Sequence, residues 1–366
     1  MLSNGANPTG KIRVLVVDDS AVIRQLLSQI INAESDMEVV GTASDPLIAR
    51  EKIKQLAPDV LTLDIEMPRM DGITFLRNLM RLRPMPVIMI STLTQVGADV
   101  TLEALNIGAF DFLPKPRENL GKGLLEYGDD ITRKIRAAAR ANVRQLERTS
   151  EQTRAAPQKP VTRVADYSPR PDALIAIGAS TGGTEAIKEV LLRLPENCPP
   201  VVITQHIPAV FSTSYALRMD NTCAMHVHEA SANQKILPGN VYIAPGDFHL
   251  LVRRGSDGWV TALSSAPKVN HHRPSADVMF DSIVDLALTG AVGVLLTGMG
   301  SDGAKGLLRL KQIGCHTIIQ DQESSVVWGM PGAAFQIDAH CEMKPLDGIA
   351  TRLLALTNNR TRSREA

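Results

Sequence analysis

A serine flanked by glycines lies between a predicted strand and a predicted helix. Residues 178–183 read Gly-Ala-Ser-Thr-Gly-Gly; they follow the apolar run 173–177 and precede a helical pattern that begins at Thr184. Glycines let the backbone turn sharply and let a substrate approach, and a turn of this kind holds a serine nucleophile exposed at the edge of a parallel sheet. Ser180 is therefore a candidate nucleophile. The same short segment also fits a βα turn whose serine only caps the helix.

A serine hydroxyl is a weak nucleophile and needs a base, usually a histidine that a carboxylate orients. Among the eight histidines, His206 is the best placed, because it follows the apolar run 201–205 and would stand at the same sheet edge as Ser180. Asp302 lies in a second glycine-rich turn, after the run 292–296, and reaches the same edge. These three residues can form a Ser-His-Asp nucleophilic site.

The oxyanion of a tetrahedral intermediate needs backbone donors. The N–H of Thr181, directly after the candidate nucleophile, is one candidate, and the turn that contains Met299 can supply another. The order Ser…His…Asp differs from the α/β-hydrolase order Ser…Asp…His. That second order would require His316 or His340 as the base, and neither follows a comparable strand end.

The remaining histidines have simpler interpretations. His226 and His228 alternate along a possible strand and fit surface positions. The segment 271–274, His-His-Arg-Pro, either borders the site or forms a solvated loop.

Polar groups also follow the predicted strands of the first third of the chain. They are Asp18 and Asp19 after 12–17, Asp64 after 60–63, Ser91 after 87–90 and Lys115 after 110–113. Because the carboxyl ends of parallel strands meet at one edge, these groups can share a crevice. Clustered carboxylates repel one another unless a cation such as Mg²⁺ neutralises them, and one of them can then accept a phosphoryl group. Each acid taken singly also fits a helix cap.

Alternating strands and helices must position both groups of residues. Five strand-like runs separated by amphipathic stretches predict a doubly wound parallel sheet in the first domain; the runs are 12–17, 38–42, 60–63, 87–90 and 110–113. A second domain begins near Asp172 and repeats the alternation, with runs at 174–177, 201–204 and 292–296. Between the last two lies a strand-rich insert, in which Asp257-Gly258 predicts a hairpin. We therefore expect two α/β parallel-sheet domains, the second with an antiparallel hairpin excursion.

A linker is expected between the domains, at residues 131–171. An arginine-rich helical stretch there gives way to the proline-containing segment 153–160. We interpret this as a solvated basic helix face that runs into an extended linker, with partner docking as an alternative.

Composition restricts the function classes. The 366 residues are 44% hydrophobic and 21% charged, and Lys+Arg and Asp+Glu number 39 each, so no charge excess points to nucleic acid or to a membrane. The four cysteines are scattered without a C-x-x-C pair, which argues against a zinc site or disulfides and fits a reducing cytosol. The polar first ten residues do not read as a signal peptide, and no apolar run approaches the ~18 residues that span a bilayer. We expect a cytoplasmic protein without membrane insertion.

Residues 12–130 resemble a response-regulator receiver domain, which has a flavodoxin-like fold. The resemblance rests on Val-Asp-Asp-Ser at 17–20, Leu-Asp-Ile-Glu-Met-Pro-Arg-Met-Asp-Gly at 63–72 and Lys115-Pro116. It implies three assignments: phosphorylation on Asp64; a Mg²⁺ ion held by Asp18, Asp19, Asp64 and the backbone carbonyl of Glu66; and switch roles for Ser91, Phe112 and Lys115.

Residues 172–360 resemble the catalytic domain of the CheB-type methylesterases. The resemblance rests on segments 177–184, 204–206, 242–246, 296–303 and 328–332. It implies Ser180 as nucleophile, His206 as base, Asp302 as orienting acid, oxyanion support from Thr181 and Met299, and no cofactor in the esterase site. It also implies hydrolysis of glutamate γ-methyl esters on chemoreceptors, deamidation of receptor glutamines, and control by a chemotaxis histidine kinase through Asp64.

Two other classes of protein contain receiver domains. One is a signalling adaptor in which the second domain is catalytically inactive, and a fluorophosphonate label on Ser180 would discriminate against it. The other is a transcriptional regulator, but the second domain has no marked basic excess and no short basic helix-turn-helix segment.

Overall fold

A computed structural model describes residues 10–67, 70–92, 94–115, 123–141 and 167–359. Pro68, Arg69 and Pro116 of the motifs above, and most of the expected linker, lie outside the described residues. The chain divides into two compact units, Met1–Ala155 and Ala156–Ala366.

The first unit is a five-stranded parallel sheet with helices between its strands. Its elements are β1 (Ile12–Val17), α1 (Ala21–Asn32), β2 (Met37–Ala43), α2 (Pro46–Leu56), β3 (Val60–Asp64), α3 (Gly72–Leu82), β4 (Val87–Ser91), α4 (Gln95–Ile107), β5 (Asp111–Pro114) and α5 (Gly123–Ala139). The strand order is β2-β1-β3-β4-β5, with every neighbouring pair parallel. The predicted doubly wound sheet is confirmed. Its strand order reverses at β1 and β3, where such folds bind their ligands.

Other side chains cap the helices that follow the candidate acids. Ser20 accepts from the N–H of Ile23 at the start of α1, and Asp71 accepts from Thr74 at the start of α3. The acids after β1 and β3 therefore do not cap these helices, and the interpretation of them as helix caps is wrong.

Helix α5 continues past residue 130, where the receiver domain was expected to end. Ile131, Ile135 and Ala138 on this helix are fully buried. Two of its cations form ion pairs: Lys134 Nζ lies 2.6 Å from Asp111 Oδ2, and the partly exposed Arg136 binds the Asp36 carboxylate. Arg140 is exposed, as expected for a solvated face. This helix is part of the packed first unit, at least as far as Ala139.

The second unit is built on a seven-stranded parallel sheet with a separate antiparallel hairpin. Its elements are β6 (Leu174–Ala179), α6 (Gly183–Leu191), β7 (Val201–Gln205), α7 (Ala209–Asp220), β8 (His226–Glu229), β9 (Asn240–Ile243), β10 (His249–Gly255), β11 (Gly258–Ser264), α8 (Ala276–Asp285), β12 (Ala291–Leu295), α9 (Ala304–Gln312), β13 (His316–Gln320), α10 (Met330–Gln336), β14 (Glu342–Lys344) and α11 (Leu346–Thr357). The sheet order is β14-β13-β12-β6-β7-β9-β8. The α/β class and the β10–β11 hairpin are confirmed, while β13 and β14 were not predicted.

The three central strands of this sheet carry the candidate active site. Strand β6 pairs in parallel with β12 on one side and β7 on the other. Helix α8 packs close to β6, where a Cβ on Gly178 would lie 2.7 Å from the Cβ of Ala276. The carboxyl ends of β6, β7 and β12 consequently open at one edge, beside the start of α8.

No helix among the described residues is both long and apolar enough to cross a membrane.

Candidate functional site

The turn after β6 holds Ser180 by its backbone. The Ser180 N–H donates to the carbonyl of Thr297 at 3.0 Å, and its carbonyl accepts from Gly183 at 2.7 Å. Helix α6 is capped by Gly182, which has a φ of 75° and makes no side-chain cap bond. The alternative in which Ser180 only caps the helix is therefore excluded.

The loop after β7 places His206 beside this turn. The His206 N–H donates to the carbonyl of Ala179 at 3.1 Å. The side-chain amide of Gln205 donates to the carbonyls of Ser180, at 2.9 Å, and His206, at 3.2 Å. One side chain thus ties the turn that contains Ser180 to the loop that contains His206.

His206 and Asp302 form a buried pair. The Nε2 atom of His206 lies 2.9 Å from Oδ2 of Asp302, and the two side chains are only 7% and 1% exposed. The other ring nitrogen, Nδ1, is buried and has no hydrogen-bond partner among the residues described. When Nε2 carries the proton toward Asp302, Nδ1 is left as the basic nitrogen.

Asp302 is held as a carboxylate by four donors. Besides His206, they are Asn270 Nδ2 at 2.8 Å, Ser275 Oγ at 2.6 Å and the Ala276 N–H at 2.6 Å. Burial alone would raise the pKa of Asp302, but the hydrogen bonds from His206, Ser275 and Asn270 hold this pKa well below its usual value. Asp302 therefore stays charged and can stabilise an imidazolium at His206.

The turn that contains Met299 is fixed against Ser180. The carbonyl of Gly298 accepts from the N–H groups of Gly329, at 3.1 Å, and Met330, at 2.8 Å. A Cβ on Gly298 would lie 2.8 Å from the Cβ of Ser180, so only glycine allows this approach. The Trp-Gly-Met-Pro-Gly segment at 328–332 thus holds the Met299 turn in place.

The positions of His316 and His340 exclude them as the base. His316 begins β13 and pairs in register with Val292 on β12, far along the strands from the edge that carries Ser180. His340 lies after α10, with its ring against Phe335. Neither residue is placed to serve the nucleophile, so the α/β-hydrolase order is excluded by the fold.

The His-His-Arg-Pro segment borders the site, which settles the alternative left open by the sequence. The ring of His272 stacks on that of His206, with centroids 3.7 Å apart and planes at 15°. His226 is exposed on β8, as expected, whereas His228 is half-buried and bonds to Asn240.

The first unit brings its acids together at the ends of β1 and β3. Ligand oxygens of Asp18, Asp19 and Asp64 all lie within 4.8 Å of one another. Lys115 Nζ lies 2.7 Å from Asp64 Oδ2 and 3.6 Å from Asp18 Oδ2. Asp18 Oδ2 is buried without a hydrogen-bond partner among the described residues. Three carboxylates, one with a buried oxygen that accepts no hydrogen bond, fit a hard cation such as Mg²⁺.

Without a cation, burial and repulsion between carboxylates disfavour the charged forms of Asp18 and Asp64. Burial, and then repulsion by Asp64, raises the pKa of Asp18 to about 6, and burial also raises the pKa of Asp64. Burial alone would lower the pKa of Lys115, but the hydrogen bond and charge of Asp64 raise it. A bound divalent cation would relieve the repulsion between the two buried acids.

Asp18→Asn should stabilise the receiver domain at pH 7 when Mg²⁺ is removed. A folded-state pKa of about 6 means that the folded state holds a proton more tightly than the unfolded state. Stability therefore falls as pH rises from the usual aspartate pKa through 6, and the ionised acid costs about 3 kcal/mol above that range. Calorimetry in the presence of a chelator would measure the midpoint of receiver unfolding, which is identified as the transition that Mg²⁺ shifts in wild type. This midpoint should be higher in Asp18→Asn than in wild type, and Asp99→Asn, at an exposed position, is the control. An unchanged or lower midpoint at pH 7 would contradict the raised pKa.

The remaining receiver residues surround this cluster. Ser91 is buried at the end of β4, and its hydroxyl accepts from Thr101 Oγ1 at 2.7 Å. Phe112 is buried on β5. Glu66 follows Asp64 by two residues, and its N–H lies 3.4 Å from Asp64 Oδ1, which keeps its backbone beside the acids.

Three contacts in the esterase site were not predicted from the sequence. Gln205 was noted only as the end of a strand and as part of the motif 204–206, and Asn270 and Ser275 were not singled out at all. Ser275 could have been found from the sequence, because a serine directly before an apolar helical pattern predicts an N-cap, and Ser275 does cap α8. Asn270 carries no pattern of this kind.

Comparisons with known proteins identify the families to which the two units are similar. The CheB methylesterase family matches residues 175–353, and the response regulator receiver domain family matches residues 14–122. The protein-glutamate methylesterase/protein-glutamine glutaminase of Hydrogenovibrio crunogenus is 52% identical over 371 positions, covering 94% of this chain and 99% of that protein. This chain belongs to the CheB methylesterase family.

Other members of the CheB family are similar along the same length. Protein-glutamate methylesterase/protein-glutamine glutaminase 2 of Saccharophagus degradans is 54% identical and covers 94% of this chain and 98% of its own. Among solved structures, the CheB methylesterase catalytic domain of Thermotoga maritima is 36% identical and covers 50% of this chain and 97% of that one, with a TM-score of 0.49.

Proposed function

We propose that this CheB-family enzyme hydrolyses glutamate γ-methyl esters on chemoreceptors, and deamidates receptor glutamines, through a serine nucleophile. The observation that carries this proposal is the pairing of His206 with a buried, ionised Asp302 at the sheet edge that also carries Ser180. An inactive adaptor would have no need for a carboxylate held by four donors beside a histidine. A DNA-binding regulator is disfavoured by a second unit built on a seven-stranded sheet.

The mechanism follows acyl transfer. His206 Nδ1 takes the proton of Ser180 Oγ as that oxygen attacks the ester carbonyl, and Asp302 stabilises the imidazolium. The backbone N–H groups of Thr181 and Met299 would bind the oxyanion. The imidazolium then protonates the leaving methoxide, which departs as methanol; with a glutamine substrate the leaving group is ammonia. Water, deprotonated by the same histidine, hydrolyses the acyl-enzyme and regenerates the serine.

Control of the enzyme is assigned to the receiver domain. A chemotaxis histidine kinase would transfer a phosphoryl group to Asp64, and Lys115 lies against this carboxylate to counter the added charge. Asp18, Asp19, Asp64 and the carbonyl of Glu66 would hold Mg²⁺, which supplies charge neutralisation during the transfer. The phosphoryl group adds roughly −1.5 to −2 charge, which can reposition Ser91 and Phe112.

The enzyme should release methanol from membranes that carry methylated chemoreceptors. We expect the rate to rise when a small phosphodonor and Mg²⁺ are added, because phosphorylation of Asp64 in the receiver domain would activate the esterase. Released methanol would be counted with and without the phosphodonor, and ammonia release from receptors with glutamine at the same sites would test deamidation. Absence of methanol release under both conditions would rule out the proposed substrate.

A further inference from the structure

A short hairpin tip delivers two side chains to the base of the esterase site. Val269 and His272 exchange backbone hydrogen bonds of 3.0 and 2.9 Å, and the two residues between them, Asn270 and His271, have φ angles of 51° and 69°. Positive φ at both central residues is the geometry of a type I′ turn, which asparagine tolerates well. The turn directs His272 onto the ring of His206 and the amide of Asn270 toward Asp302.

The amide of Asn270 joins two buried carboxylates. Its Nδ2 atom lies 2.8 Å from Oδ1 of Asp302 and 2.8 Å from Oδ2 of Asp277. Asp277 is 4% exposed and also accepts from the N–H of Gly306 at 2.6 Å. The two protons of a single NH₂ group are therefore divided between the acid that orients the base and a second acid with no role in the proposed reaction.

The charged groups around Asp302 and Asp277 indicate the role of the Asn270 amide. Asp302 faces His206 and the stacked His272, and Asp277 faces Asp302 across Asn270. Arg309 on α9, whose charge also acts on Asp277, binds Asp281 through Nε and a terminal nitrogen, at 2.5 and 2.7 Å. No cation among the described residues forms an ion pair with Asp277, so neutral donors must separate the two negative charges.

We propose that Asn270 is a positioning residue for the base: its amide fixes Asp302 opposite His206 and shields it from Asp277. The inference rests on the proposed serine mechanism and deepens it. Without the amide, the carboxylate would be freer to turn and would carry more negative charge toward His206. The imidazolium would then be over-stabilised, and the base would lose its proton only at higher pH.

Asn270→Gly tests this directly, because glycine keeps the left-handed turn and removes only the amide. Losing one hydrogen bond to a charged group should lower kcat roughly tenfold, with KM for methylated receptors within about twofold. The acid limb of the kcat/KM profile should move up by about half a pH unit. Asn233→Gly is the matched control, since Asn233 is also exposed with a φ of 61° but bonds through its N–H to Thr261 on β11.

A second variant keeps the test decisive. Asn270→Asp preserves size and turn preference but replaces the donor by a third carboxyl, so its acid limb should move further in the same direction. Both tryptophans, Trp259 and Trp328, lie in the second unit, so their emission reports whether each variant is folded there. If the emission of Asn270→Gly shows that this variant is not folded, the pH profile of Asn270→Asp tests the proposal in its place.

The outcomes separate this inference from the proposed function. If Asn270→Gly matches Asn233→Gly, or if kcat falls while the pH profile stays fixed, Asn270 does not position the base. Wild type and Ser180→Ala would be assayed alongside. Equal activity of those two proteins would instead defeat the serine mechanism itself.

Discussion

Ser180→Ala should lower methanol release by about 10⁴-fold or more, with the protein still folded. In the proposed mechanism this side chain supplies the attacking oxygen, so no acyl-enzyme forms on residue 180 without it. His206→Ala should cost about as much, because nucleophile and base act as one unit and removing either stops acyl transfer. Asp302→Ala should cost less, since this carboxylate orients and stabilises the base rather than reacting.

The controls for this series come from the same domain. Ser231→Ala and His226→Ala remove exposed residues of the same types and should leave turnover unchanged. A fluorophosphonate should label wild type, and labelling should disappear in Ser180→Ala. Retention of most esterase activity by Ser180→Ala would show that the nucleophile is another residue.

The convergence of Ser180, His206 and Asp302 could be predicted because it depends on topology. Each of these residues follows a strand, and the carboxyl ends of adjacent parallel strands must open at one edge. The sequence places them after β6, β7 and β12, and these strands prove to be neighbours in the sheet. Hydrophobic runs and glycine-rich turns therefore carried enough information for the core of the site.

The support around Asp302 could not be predicted in the same way. Asn270 lies at the tip of a hairpin, and its contact depends on how that loop folds over the start of α8, which no local pattern encodes. The stacking of His272 on His206 depends on the same loop. Contacts of this kind arise from tertiary packing, so the sequence left the His-His-Arg-Pro segment with two interpretations.

The basic residues of α5 illustrate a different limit. A run of lysine and arginine at helical spacing is typical of a solvated face. In the folded unit, however, Lys134 meets Asp111 on β5 and Arg136 meets Asp36, which is about a hundred positions away in the chain. Ion pairs between distant segments leave no trace in local periodicity, so the attachment of this helix to the first unit could not be predicted from its own sequence.

Asp64→Asn should abolish phosphorylation and, with it, the response of the esterase to a phosphodonor. A carboxamide is a poor phosphoryl acceptor, and no other described acid lies as close to Lys115 Nζ as Asp64, at 2.7 Å. Radiolabelled acetyl phosphate should label wild type only when Mg²⁺ is present, because the clustered acids need a cation to accept further negative charge. Asp99→Asn, on the exposed face of α4, should be labelled normally.

The same variant separates control from catalysis. Asp64 lies in the first unit and Ser180 in the second, so Asp64→Asn should keep the basal rate of methanol release and lose only its increase with phosphodonor. Wild type should lose that increase in a chelator, and Asp64→Asn should be indifferent to the chelator. Undiminished labelling of Asp64→Asn would place the acceptor elsewhere. Activation that persisted in an unlabelled protein would show that the phosphodonor acts without the receiver, because the covalent charge on Asp64 is the only signal that this mechanism provides.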